Sequence, residues 1–306
     1  MQLDAASWAW IPITLAAALG QTFRNAAQRT LTATAGTLAA TLVRFLYGLP
    51  VALAWLALVR WGWGGALSQG AAPAFGWGYA GWLVVAALAQ LAATALLLLA
   101  MASRNFIVAV TWSKTEVLQV ALFSAVFLQE LPGPVLLAGM VAATVGVVLL
   151  SPAASGSGGP GGRAVVYGLA SGACFAMASI GYRGASLQLQ GVSPWLAGAW
   201  NVAWAQGLQT LLLGGWLAMR APASLGVVLR SWRLSSAAGS AGAFASICWL
   251  TATAMRPATE VRTLGLVEVI FSYLVSQRLF AESLSMREKL GMGLVGVGLV
   301  VACARL

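Results

Sequence analysis

Long apolar runs, separated by short polar or glycine-rich breaks, follow one another along the whole chain. Runs of 18 or more mostly apolar residues are long enough to cross a bilayer as helices. The pattern predicts ten such helices, five on each side of a polar break at 151–163. Their predicted bounds are 8–28, 37–59 with a break near Pro50, 77–102, 105–128, 134–150, 164–187, 194–219, 234–255, 257–280 and 286–304.

The polar break at 151–163 divides the chain into two parts of similar length. Its sequence, SPAASGSGGPGGR, consists largely of glycine, serine, alanine and proline. Such a composition cannot bury enough apolar surface to fold and is typical of a flexible linker. We therefore expect one five-helix unit at 1–150 and a second one at 164–306.

The second unit repeats part of the first. A shift of 152 positions, without a gap, aligns Arg104 with Arg256, Glu116 with Glu268 and Glu130 with Glu282. Apolar helices share alanine and valine by composition alone, but this chain has only 7 acidic residues, so the acidic matches indicate a duplication. A unit with an odd number of spans ends on the opposite membrane face, so its copy is inverted. Inverted repeats are typical of secondary transporters.

Composition places the chain in the membrane. Hydrophobic residues make up 60% and charged residues 8% of it, whereas about a quarter of a soluble domain is charged. The net charge of +10 comes from single arginines near the ends of apolar runs, without a basic block. We therefore expect an all-α integral membrane protein whose arginines contact lipid headgroups, and no nucleic-acid partner.

Residue types also limit the chemistry. Histidine is absent, and the three cysteines, Cys174, Cys248 and Cys303, stand alone within apolar runs. That spacing fits neither a metal site nor a disulfide framework. The sequence has no phosphate-binding glycine loop and no paired nucleophile and base. We expect no metal, no cofactor and no enzymatic activity.

Glu116 and Glu268 are the leading candidates for a functional site. Glu116 lies about twelve residues into its predicted helix, or about 18 Å from the start at 1.5 Å per residue, which is near the bilayer centre. The repeat places Glu268 at the same depth. A charged carboxylate there costs at least ~2.5–3.5 kcal/mol, so it should face the protein interior or water. It would bind a cationic group, carry a proton, or form a structural ion pair between the halves.

Other charged residues lie in the same predicted helices. Lys114 lies on a different face from Glu116, and a cavity that holds both signs of charge suits a zwitterion such as an amino acid. Glu260 and Arg262 lie close to the start of their predicted helix, where water is nearer. For these two residues we expect either a gate or an ion pair at the mouth of the cavity.

Polar and aromatic stripes extend the candidate site. Gln21, Arg24 and Asn25 fall on one side of the first predicted helix, and this side is too polar to face lipid. It either lines a cavity or belongs to a helix end that frays at the membrane interface. Trp200 and Trp204 lie one helical turn apart, Asn201 follows Trp200 directly, and Trp112 stands near Lys114. Tryptophan binds ammonium groups by cation–π contact, but it also anchors helices at membrane interfaces.

The chain resembles the drug/metabolite transporter (DMT) superfamily, and within it the ten-helix EamA-type bacterial exporters. The resemblance rests on the ten-span duplication, on Leu128-Gln129-Glu130-Leu131 and Phe280-Ala281-Glu282-Ser283, and on Leu42-Val43-Arg44-Phe45. It implies a basket-like fold, alternating access, export of small metabolites, and a bacterial inner membrane with cytoplasmic termini. The lysines and arginines of the loops favour external termini instead. Monomer and homodimer both remain open.

These observations predict a secondary active transporter. We expect it to move, by export, a small zwitterionic or cationic metabolite such as an amino acid, with Glu116 and Glu268 coupling transport to protons. The first alternative is proton-coupled efflux of lipophilic cations. A channel or a membrane enzyme is a more remote alternative.

Overall fold

The computed structural model describes residues 8–103, 106–150, 160–280 and 286–303. Within these ranges the secondary structure is helical, apart from one antiparallel bridge between Gly70 and Val192. The all-α prediction is therefore confirmed for the described part. Arg104, Glu282 and most of the predicted linker, 151–159, lie outside the described residues.

The helices follow the predicted order. They are α1 (Trp10–Ala35), α2 (Thr37–Leu46), α3 (Leu49–Trp61), α4 (Trp77–Ser103), α5 (Phe106–Ser113), α6 (Glu116–Phe123), α7 (Pro134–Leu150), α8 (Pro160–Gln188), α9 (Pro194–Arg220), α10 (Pro222–Arg230), α11 (Trp232–Met255), α12 (Ala258–Leu264), α13 (Val267–Phe280) and α14 (Met286–Cys303). A 3₁₀ turn, Gly62–Ser68, follows α3, and a π-helical turn, Ser124–Leu128, follows α6.

Within the described ranges, four segments are long and apolar enough to cross a membrane. These are Thr37–Trp61, Trp77–Ala102, Gly162–Gln188 and Trp232–Met255, and α9 with α10 would make a fifth if that pair, bent by 117°, is one span. Large apolar side chains such as Trp77, 94% exposed, lie on the surface. Charged side chains such as Glu268 and Arg24 are fully buried. This distribution is the reverse of a soluble protein's and is compatible with an integral membrane protein.

Three long helix pairs organise the packing. α4 lies along α8, α1 along α11, and α7 along α14. In the last pair, glycines let the two backbones approach closely. A Cβ added at Gly139 would lie 2.8 Å from the carbonyl oxygen of Gly298, and one at Gly146 would lie 2.7 Å from that of Gly291. Glycines of these two helices therefore pack against each other within one chain.

Two helices predicted to be continuous are broken. The helix predicted at 105–128 divides at Lys114 and Thr115, and the one predicted at 257–280 divides at Gly265 and Leu266. Short-range backbone bonds replace helical ones at both breaks, as in Leu266 N–H to the Thr263 carbonyl, 3.0 Å. The shift that aligns the two halves also aligns these breaks to within one residue.

Each break has a local cause. The hydroxyls of Ser113 and Thr115 donate to the carbonyls of Val110 and Trp112, at 2.8 and 2.9 Å, and such bonds compete with the helix. At the second break, the indole of Trp249 packs against Gly265 so closely that a Cβ there would overlap the ring.

Smaller differences concern the ends of helices. α8 begins at Pro160, so 160–163 are helical rather than part of the linker, because proline is well suited to the first turn of a helix. α10 occupies a stretch predicted as a loop. The predicted break near Pro50 is confirmed between α2 and α3.

Candidate functional site

Glu268 is the centre of a buried polar network. It lies in the first turn of α13 and is 0% exposed. Its Oε2 accepts hydrogen bonds from Gln21 Nε2 and Lys114 Nζ, both at 2.6 Å, and its Oε1 accepts one from Asn25 Nδ2 at 3.1 Å. Both carboxylate oxygens are therefore engaged, by α1 and by the break between α5 and α6.

Glu116 lies in the first turn of α6 and is 2% exposed. Its Oε1 is 3.7 Å from Lys114 Nζ and 3.5 Å from Arg262 Nη1. These distances are those of ion pairs with weak hydrogen bonding. Its Oε2 has no hydrogen-bond partner among the described residues. Glu116 thus forms ion pairs through Oε1, whereas Oε2 is unsatisfied among the described residues.

The two breaks are well suited to hold carboxylates. Each glutamate lies at the start of the second half of a broken helix, where the helix dipole favours negative charge. Broken helices of this kind form the central sites of many transporters. Lys114 bridges the two carboxylates, so the sequence-predicted trio of Lys114, Glu116 and Glu268 lies together.

Trp249 of α11 supports the network from the side. Its Nε1 donates to Gln21 Oε1 at 2.9 Å, which orients the Gln21 amide towards Glu268. Its ring lies 4.4 Å from the guanidinium carbon of Arg262, a cation–π contact. Trp249 thus contacts the network through both its indole N–H and its ring. Because tryptophan is frequent throughout the sequence, these contacts are visible only in the folded structure.

Two buried arginines adjoin the network. Arg24 of α1 donates from Nη2 and Nε to Asn25 Oδ1, at 2.6 and 3.2 Å. Arg44 of α2 donates to Thr94 Oγ1 at 2.8 Å and to Ser246 Oγ at 3.2 Å. Both side chains pass Gly242 of α11, because carbons of each lie 3.1 Å from the position that a Cβ would take there.

The predicted gate residues have different partners. Glu260 pairs with Arg256 at 3.4 Å, on a partly exposed edge of α12, whereas Arg262 points inward to Glu116. Glu260 and Arg262 are therefore not an ion pair with each other. Sequence reasoning also missed Arg183 of α8, which pairs with Glu130 at 2.9 Å and donates to the carbonyls of Thr253 and Ala254 at the end of α11.

The predicted aromatic residues belong to other regions. Trp200 and Trp204 stack at 6.3 Å and contact Phe75, and Trp204 is 49% exposed. Asn201 donates to Ser186 Oγ at 2.9 Å. Among the described residues, no hydrogen bond, ion pair or ring contact joins these side chains to Glu116 or Glu268. Trp112 packs against Gly168 of α8.

Comparison with known proteins defines the fold alone. No protein-family model matches the chain, and no curated protein matches it. Among solved structures, 22 chains match. One of them, described only as "Crystal structure of protein", is 19% identical, covers 97% of this chain and 96% of its own, and has a TM-score of 0.65. The chain therefore shares its all-helical fold, over nearly its whole length, with a protein of known structure.

Proposed function

We propose that the protein is a secondary transporter of the drug/metabolite transporter type, of the EamA kind, built from ten spans in two inverted halves. The first half, 1–150, would hold α1, α2 with α3, α4, α5 with α6, and α7. The second half, 164–306, would hold α8, α9, α11, α12 with α13, and α14. α10 would then be a connecting helix outside the set of spans.

The packing supports this two-fold relation. Exchanging the halves turns the contact between α1 and α11 into the contact between α8 and α4. The pair α7 and α14 maps onto itself, and its glycine contacts are reciprocal, Gly139 with Gly298 and Gly146 with Gly291. The equivalent helix breaks add a third correspondence.

The observation that carries the proposal is the ion network between the halves. Lys114 of the first half binds Glu268 of the second, and Arg262 of the second half pairs with Glu116 of the first. Alternating access requires the halves to move against each other, so these bonds must separate or exchange partners. A substrate with charged groups, or a proton on either glutamate, can replace the lost partner in that step.

The substrate class we propose is a small charged metabolite, with zwitterions such as amino acids included. Its export from a bacterial cell, across an inner membrane with cytoplasmic termini, follows the family resemblance. A pure lipophilic cation is less favoured, because Glu268 already accepts three hydrogen bonds. The partly buried Trp200 and the exposed Trp204 also lie in a separate cluster.

Counterflow in proteoliposomes tests the proposal. Vesicles preloaded with an unlabelled amino acid, organic anion or organic cation are mixed with the labelled compound at trace concentration. A carrier gives transient, saturable accumulation of at least one compound, and a channel gives none. Glu116→Gln should lower this exchange at least tenfold, whereas Glu260→Gln, which changes a peripheral pair, should retain it. Unsaturable flux that is unchanged in Glu116→Gln would contradict the carrier.

A further inference from the structure

Cationic side chains outnumber carboxylates in the buried centre. Among the described residues, six lysine, arginine and glutamate side chains there are each at most 6% exposed: Arg24, Arg44, Lys114, Glu116, Arg262 and Glu268. Four are cationic and two are anionic, which leaves an excess of two positive charges. The three ion pairs of this region all use Lys114 or Arg262, so the excess belongs to Arg24 and Arg44.

Neither arginine has a carboxylate partner among the described residues. Arg24 donates two hydrogen bonds, from Nε and Nη2, to the single amide oxygen of Asn25, and its Nη1 has no acceptor. Arg44 is bound by two hydroxyl oxygens, and its Nε has no acceptor. The direct hydrogen-bond acceptors of both guanidinium groups are therefore neutral oxygens, and both groups keep unused donors.

Such an arrangement is unfavourable without an anion. Arginine remains protonated in proteins, and a buried charge without a counter-charge costs several kcal/mol. The cost rises because the two side chains run side by side past Gly242. A guanidinium presents its donors in a planar fork that matches the oxygens of a carboxylate or phosphate.

We infer that Arg24 and Arg44 form an anion-binding subsite, and that the transported compound is a small organic anion with a carboxylate or phosphate group. The role as a substrate subsite rests on the proposed transport function, whereas anion binding does not. The charge excess matches a compound with two negative charges.

Ligand charge provides the first test. Purified protein is heated with succinate, glycerol 3-phosphate, alanine or ethylammonium at equal millimolar concentration and ionic strength. We expect either or both dianions to raise the unfolding midpoint by about 2–4 °C or more, and ethylammonium to leave it unchanged. The two dianions separate a carboxylate preference from a phosphate preference. A rise with ethylammonium alone, or no rise with any probe, would overturn the inference.

Matched variants provide the second test. Arg24→Gln and Arg44→Gln should each weaken binding of the stabilising dianion at least tenfold. Arg233→Gln removes the same charge from an exposed position on α11, beside Trp232, and should bind as the unmodified protein does. Equal loss in all three variants would reduce the effect to net charge and refute the subsite. Retained binding in both Arg24→Gln and Arg44→Gln would refute it as well.

The same probes separate this inference from the transport proposal. If a dianion binds through Arg24 and Arg44 but shows no counterflow, the subsite stands and the carrier is refuted. If ethylammonium shows saturable counterflow and neither dianion does, the carrier stands and the anion subsite is refuted.

Discussion

The two helix breaks hold the same carboxylate, but their surroundings differ. Glu268 accepts three hydrogen bonds, because α1 brings Gln21 and Asn25 to it. At the other break, α8 brings Gly172. A Cβ added at Gly172 would lie 2.8 Å from the carbonyl oxygen of Ser113. Glu116 receives two ion pairs and one long hydrogen bond from Arg262, and its Oε2 has no hydrogen-bond partner among the described residues. The two helix breaks correspond in position, but the partners of their glutamates differ.

From this difference we infer distinct roles for Glu268 and Glu116. A carboxylate with every oxygen engaged is well suited to hold Lys114 and the neighbouring helices in place. A carboxylate with a free oxygen is the better acceptor for a proton or for a positively charged group of a substrate. We therefore expect the stability of the protein to depend mainly on Glu268, and the proposed transport cycle mainly on Glu116.

The largest predicted effect is on folding. Glu268→Gln should lower the free energy of unfolding by about 3–5 kcal/mol, because it leaves Lys114 buried without its closest counter-charge. Glu116→Gln should cost less, since Arg262 retains its contact with Trp249. Thermal unfolding of both variants in the same detergent compares them. A larger loss in Glu116→Gln would reverse the proposed roles.

Packing at the first break gives the next effect. Gly172→Ala places a methyl group against the Ser113 carbonyl and the Glu116 backbone nitrogen, and should cost about 1–3 kcal/mol. Gly207→Ala is the control, because nothing lies within 4 Å of its added Cβ, and it should be neutral or stabilising. Similar unfolding midpoints for the two variants would show that α8 does not constrain the break.

The proposed proton coupling through Glu116 predicts that transport depends on pH. Counterflow of the transported compound should vary with pH in the unmodified protein, and Glu116→Gln should flatten that profile in addition to lowering the rate. The profile of Glu260→Gln serves as the reference. A flat profile in the unmodified protein would exclude proton coupling through Glu116.

The smallest predicted effect concerns the support of Glu268. Trp249→Phe keeps a ring beside Arg262 but removes the hydrogen bond to Gln21, and should cost about 0.5–1.5 kcal/mol. Trp204→Phe, in the separate aromatic cluster, is the comparison and should change stability by less than about 0.5 kcal/mol. Equal losses would mean that the indole N–H of Trp249 contributes nothing specific.

The sequence predicts most helices, because a long apolar run specifies a span by its length. It does not reveal the breaks inside two of them. Gly265 breaks α12 from α13 only together with Trp249, which lies on another helix. A single glycine or a serine–threonine pair in an apolar run carries too little local signal for such a prediction.

The candidate site divides in the same way. Glu116, Glu268 and Lys114 stand out because ions are rare in apolar helices, and Gln21 with Asn25 stands out by helical spacing. Spacing alone cannot tell which neighbour a stripe faces, so Trp200 and Trp204 join Phe75 instead. Arg44 shows as a family-like residue in the sequence, but its lack of a carboxylate partner appears only in three dimensions.

The glycine contacts between α7 and α14 restrict how the molecule can change shape. Where the backbones are in contact, no side chain lies between them whose rotamer could change to permit sliding. We therefore expect the two helices to keep their relative position. Movement must then arise where the chain is already interrupted, around the two glutamates. Spin labels on α7 and α14 should keep their separation throughout a cycle, while labels on α6 and α13 should not.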